Sequence, residues 1–171
     1  GIVPLSTTLD TVGVLGHSVG CCATLTALLC DDAQAPMRAL ARPPRLAVPR
    51  NYFFVDIDDT VAAAFERALG RLADAGAEIV EIELPELDGV TEMNSGGGFP
   101  AAEAFAWHRD LIARHGADYD PRVLVRIQRG EHLSARDLIV LQGRRKTMID
   151  GAWRRLDGFG AFICPTVPVI A

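Results

Sequence analysis

Apolar positions recur along this chain with two different periods. Between Asp58 or Asp59 and Ala75, the residues Val61, Phe65, Leu69, Leu72 and Ala75 fall three or four apart, the spacing of one stripe on an α-helix. Either aspartate suits the N-cap, and Gly76 supplies a left-handed stop. The period then changes. Glu78-Ile79-Val80-Glu81-Ile82-Glu83-Leu84 alternates in part between polar and apolar, as a half-buried strand does. A helix feeding directly into a strand predicts an α/β fold.

The same reasoning extends to both sides. Gly1 to Leu5 and Val12 to Leu15 are short apolar stretches separated by Ser6-Thr7-Thr8, which predicts two short strands or extended segments joined by a turn. Ser18 precedes an apolar run from Val19 to Leu29 and is placed to cap a helix over it, which Asp31, Asp32 and Pro36 end. A proline-containing surface connection over about 34–44 leads to a strand at Leu46-Ala47-Val48. Past Pro85 the chain loosens, and Ser95 to Gly98 opens a helix with Pro100 in its first turn, running to about His115. Asp120-Pro121 starts another, ending at Gly130. Ser134 and Asp137 resemble a capping box ahead of a long helix to about Leu156, and Ala161 to Cys164 reads as a last strand stopped by Pro165.

Composition narrows the classes. With 171 residues, 49% hydrophobic and 23% charged, the chain suits one globular domain, 1–171. A formal charge of -5 with scattered arginines offers no basic patch, so nucleic acid is not expected as a partner. No apolar run reaches the ~20 residues needed to span a bilayer, and the first residues lack a signal-peptide pattern. Cys21, Cys22, Cys30 and Cys164 show no C-x-x-C spacing, which favours reduced thiols and a cytoplasmic setting. His108 and His115 stand two helical turns apart, too far to chelate one ion, and neither metal nor cofactor is expected. The first residue is Gly1 rather than methionine, as truncation or processing would leave it.

One motif invites a catalytic reading. Gly16-His17-Ser18-Val19-Gly20 matches G-x-S-x-G, the nucleophile elbow of α/β-hydrolases, and stands between an apolar stretch and a helix. That chemistry also needs an earlier oxyanion loop and a later acid and histidine. The residues before Gly16 hold no glycine-rich loop, and His108, His115 and His132 lie on or near helices. Ser18 is therefore read as a helix N-cap, with a serine esterase using Ser18 kept as the alternative.

Gly1-Ile2-Val3-Pro4-Leu5-Ser6-Thr7-Thr8-Leu9-Asp10-Thr11-Val12-Gly13 resembles the segment G-x-x-P-L-x-x-S-L-D-x-x-G of the amidase signature enzymes. Further blocks in the family's order are Val48 to Phe54, Ala73 to Glu81 before Leu84-Pro85, Ala101 to Arg109, Tyr119 to Val123, and Cys164 to Pro168. Together they span essentially the whole chain. Departures from the family pattern include Val14 for a proline, His17 for an arginine, and Gly20-Cys21 for an acidic pair that would favour the start of the first helix.

The resemblance implies part of the amidase signature fold, a mixed sheet flanked by helices, incomplete at both ends. It implies hydrolysis of a small-molecule carboxylic amide to acid and ammonia or amine by a serine, cis-serine and lysine arrangement. The nucleophile's G-G-S-x-R-x-P motif belongs upstream of Gly1, so the chain by itself is expected to be inactive, either scaffold and pocket wall or a catalytically inactive fragment. Its single lysine, Lys146, beside Arg144 and Arg145, reads as part of a solvated basic face. Trp107 and His108, on a helix that approaches the family's substrate cleft, and Cys164 and Thr166, at a strand end, are candidate pocket residues. Asp10 is expected to hold loop amides. The sequence is also compatible with an oligomer.

Overall fold

The computed structural model describes residues 3–30 and 40–170. In chain order they form α1 (Val19–Leu29), β1 (Arg45–Pro49), α2 (Asp59–Asp74), β2 (Glu78–Ile82), α3 (Val90–Asn94), α4 (Gly98–His115), α5 (Pro121–Gln128), α6 (Ala135–Arg155) and β3 (Ala161–Phe162). Short 3-10 turns follow β2 at Pro85–Leu87, α4 at Gly116–Asp118 and α5 at Arg129–His132. The class is α/β, with a small parallel sheet and flanking helices.

The sheet has the order β2-β1-β3. Two parallel neighbours need a crossover, and α2 supplies it between β1 and β2. Arg45 pairs in register with Glu78 and Pro49 with Ile82, and β3 joins the other side with Leu46 opposite Ala161. As the central strand, β1 is buried from Leu46 to Pro49, which explains its unbroken apolar run. Asp58 caps α2 by accepting from the Thr60 N–H at 2.7 Å, and Gly76 turns the chain at φ 95°. Arg50, just past β1, reaches Glu66 of α2 and Glu81 of β2, fastening the three elements at one corner.

A second apolar cluster lies among the helices, where Phe99, Ala101 and Ala104 of α4 are buried with Ile127 of α5. Its closeness depends on glycine. A Cβ at Gly130 would stand 2.0 Å from the Ala101 carbonyl oxygen, so the Arg129–His132 turn lies directly on α4. Gly97, at φ 101°, turns the chain into that helix. The capping box at α6 is complete, with the Ser134 hydroxyl accepting from the Asp137 N–H and the Asp137 carboxylate accepting from the Ser134 N–H.

Several boundaries differ from the sequence expectation. No strand forms among residues 3–18; Leu5 and Ser6 give their N–H groups to the Asp10 side chain rather than to a ladder. β2 ends at Ile82 because the Asn51 side chain takes over, accepting from Leu84 N–H and donating to Leu84 C=O. β3 stops at Phe162, so Cys164 and Thr166 lie past the strand rather than at its end. The last bond to β1 runs from Ile163 N–H to Ala47 C=O, and Pro165, which has no N–H, follows. The chain then turns until Pro168 C=O accepts from Asp58 N–H at the head of α2. α5 gives way to a 3-10 turn before Gly130, and α3 forms in the stretch read as loose. Of the proline-containing connection, 34–39 lies outside the described residues.

The accessible surface is 12572 Å². A self-contained folded chain of this mass exposes about 8,200 Å². Many large apolar side chains among the described residues are exposed. Leu15 is 99% exposed, and Leu28, Leu29, Trp153, Val167, Val169 and Ile170 are also open.

Candidate functional site

The loop between Val3 and Asp10 carries the densest set of polar contacts in the chain's first part. Within it, Asp10 Oδ2 accepts from Leu5 N–H at 2.9 Å and Ser6 N–H at 3.0 Å, while Ser6 C=O accepts from the N–H groups of Leu9 and Asp10. Asp10 thus closes the turn on itself, an Asx-type arrangement. Ser6 is 1% exposed, an uncommon position for a hydroxyl. Its hydroxyl donates to Glu103 Oε2 of α4 at 2.6 Å, and the same oxygen accepts from Thr8 N–H at 3.0 Å. The Thr8 hydroxyl donates to the other carboxylate oxygen. Burial pushes the Glu103 carboxyl up, but the hydrogen bonds from Ser6 and Thr8 outweigh it and leave its pKa below the ordinary value.

Thr8 also borders a cleft of about 320 Å³ against α6, with Phe99, Gln142, Arg145, Lys146 and Ile149. Lys146 bonds Asp150 one turn on, at 2.6 Å. Arg145 has no carboxylate within ion-pair distance among the described residues. The basic triplet of α6 is therefore split: Arg144 pairs with Glu92 of α3, while Arg145 and Lys146 border the cleft. Thr8 and Glu103 fall in blocks that resemble the family pattern, but nothing in those blocks pairs them with each other or with Arg145. A tether between residues 95 apart in sequence leaves no periodic trace.

The residues singled out from sequence do not converge. Trp107 is more than half exposed on α4. The neighbouring His108 Nδ1 is hydrogen-bonded to the Tyr119 hydroxyl at 2.7 Å, with the rings edge to face. This contact fastens the end of the Gly116–Asp118 turn to α4. Cys164 is half-buried, and burial pushes its thiol pKa up, making it a poor nucleophile near neutral pH. Thr166 is exposed. None of these four borders the Thr8 cleft. The Ser18 hydroxyl accepts from Cys21 N–H at 3.1 Å, the geometry of a helix cap. Among the described residues no group of three or more histidine, cysteine or acidic side chains could hold a metal ion, and no helix is long and apolar enough to cross a membrane.

The model of the Amidase family matches residues 1–171. The chain belongs to the amidase family. The 2-amino-5-chloromuconic acid deaminase of Comamonas testosteroni is 36% identical over 175 residues, covering 98% of this chain and 37% of that protein. An amidase of Pseudomonas putida is 28% identical, covering 100% of this chain and 39% of the relative. A crystal structure of an amidase superposes with a TM-score of 0.87 at 27% identity, over 100% of this chain and 38% of that one. The chain thus spans about two fifths of the length of the relatives it matches. The described residues share the fold of that amidase.

Proposed function

We propose that this chain is the later portion of an amide hydrolase, supplying scaffold and one wall of the substrate cleft to a catalytic centre carried by preceding residues of the same protein. The match to the amidase fold over the full chain, at TM-score 0.87, carries this reading. The reaction is attack of a serine hydroxyl on the amide carbonyl, departure of ammonia or amine with a proton relayed through a bridging serine and a lysine, and hydrolysis of the resulting acyl-enzyme by water. Backbone N–H groups stabilise the oxyanion. The large apolar surface supports the same reading, because a helix such as α1, with no charged residue and no buried position, gains little by standing alone.

Within this chain the Thr8 cleft is the surface assigned to the pocket wall. Arg145 and Lys146 favour an amide that also carries a carboxylate, and the acid named for the Comamonas relative is in keeping with that class. The test is to express the full reading frame that encodes this chain and measure ammonia release from acidic and neutral primary amides. Hydrolysis by the intact protein, with none by residues 1–171 alone, is the expected result. A fluorophosphonate adduct on Ser18, lost in Ser18→Ala, would instead establish the esterase alternative.

A further inference from the structure

We propose that Glu103 is a positioning residue for the amidase reaction, fixing the Ser6–Thr8 loop so that the chain entering it from the catalytic centre is held in register. This rests on the reading above. Three observations carry it. First, the loop is shaped internally by Asp10 and by the Ser6 carbonyl, so it behaves as one closed unit rather than a flexible strand. Second, among the described residues the hydrogen bonds that leave this loop all end on Glu103, which receives the Ser6 hydroxyl, the Thr8 N–H and the Thr8 hydroxyl on its two oxygens. Third, the base of the tether is rigid. Glu103 lies between the buried Ala101 and Ala104, where Gly130 leaves α4 no room to shift against the following turn.

A carboxylate gathering three donors on a rigid helix fixes both the position and the orientation of what it holds. Ser6 is buried, so water cannot readily replace Glu103 as its partner. Loss of the carboxylate frees the loop to shift as a body. A misplacement of about 1 Å in a group that positions a reacting centre can cost on the order of 100-fold in rate. The hydrogen-bond partners of the Glu103 carboxylate are Ser6 and Thr8. Its removal acts on turnover more than on substrate affinity.

The test uses the intact enzyme with Glu103→Ala, Glu103→Gln and Ser6→Ala, measuring kcat and KM for amide hydrolysis, fluorophosphonate labelling rate and thermal midpoint. Glu103→Ala is expected to lower kcat and the labelling rate at least tenfold with KM within threefold. Glu103→Gln keeps an acceptor of the same length and recovers most of that loss; Ser6→Ala, which removes one donor and leaves the charge, loses about threefold in kcat. If Glu103→Ala does not fold, Glu103→Gln and Ser6→Ala decide: a kcat loss in folded Ser6→Ala at unchanged KM upholds the role. Folded variants with wild-type kcat, or losses confined to KM, overturn it while the amidase reading stands. A wild-type intact protein that hydrolyses no amide and takes no fluorophosphonate overturns that reading, and this role with it.

Discussion

One substitution made at three positions should give opposite results. Glycine to alanine within a helix contributes about 1 kcal/mol through backbone entropy wherever the added methyl meets nothing. Gly70 in α2 and Gly143 in α6 meet that condition, for a Cβ at either would find no atom within 4 Å. Gly130 does not. There the new Cβ would lie 2.0 Å from the Ala101 carbonyl oxygen and 2.6 Å from Phe105 Cβ. Neither neighbour is the free end of a flexible side chain, so relief requires moving the Arg129–His132 turn off α4, at about 3 kcal/mol by analogy with overpacked cores. Because this chain spans about two fifths of the length of its relatives, an intact protein of that length shifts by about 1 °C per kcal/mol, so Gly70→Ala and Gly143→Ala should each raise the thermal midpoint by ~1 °C and Gly130→Ala should lower it by ~3 °C. Scanning calorimetry of the intact protein reads all three. A Gly130→Ala variant as stable as wild type would show that the turn does not press on α4 as described.

Two further outcomes follow from other contacts. Ser134→Ala removes one half of the capping box at α6 and should cost about 1 kcal/mol, seen as roughly fivefold faster hydrogen exchange in the first turn of that helix; Ser134→Asn should recover most of it. The Glu86 carboxyl, at the Pro85–Leu87 turn, is held below its ordinary value of 4.5 chiefly by the hydrogen bond from Arg155. A depressed carboxylate pKa stabilises the fold above the unfolded value and stops doing so as pH falls through the folded one. The stability advantage of wild type over Arg155→Met should therefore hold at neutral pH and shrink below pH 4.5, as urea titrations across that range would show. An advantage independent of pH would refute the pairing.

Where local chemistry decides structure, the sequence was a sufficient guide. The caps at Ser18, Asp58, Asp120 and Ser134 act on N–H groups two or three residues away, and all four helices begin where those side chains predict. Strand ends were less legible because they depend on distant partners: Asn51 ends β2 from across the sheet, and β3 is cut short by a segment that turns toward the head of α2. The site was the least legible part. Trp107, His108, Cys164 and Thr166 were chosen by residue type and by their place in the family blocks, and they do not share a cleft. Glu103 has no local signal, since its three donors come from a loop far earlier in the chain. Lys146, read as part of a solvated face, does pair with Asp150 on that face, but it also borders the cleft beside Thr8.

Val19 to Leu29 contains no charged residue, no acidic group favours its first turn and no basic group its last, and none of its residues is buried. Such a segment has little reason to be helical in water, because most helical stability comes from packing rather than propensity. Its cap at Ser18 contributes only about 1 kcal/mol. A helix apolar on every side is suited to an interior position, covered on more than one face. The excess surface, the open leucines of α1 and the exposed Val167, Val169 and Ile170 therefore describe one condition, apolar surface that the chain's own elements leave uncovered. In the proposed amide hydrolase, residues beyond this chain would cover it. The order of α1 would then depend on the same neighbours that supply the catalytic serines, so the helix and the active site would form together.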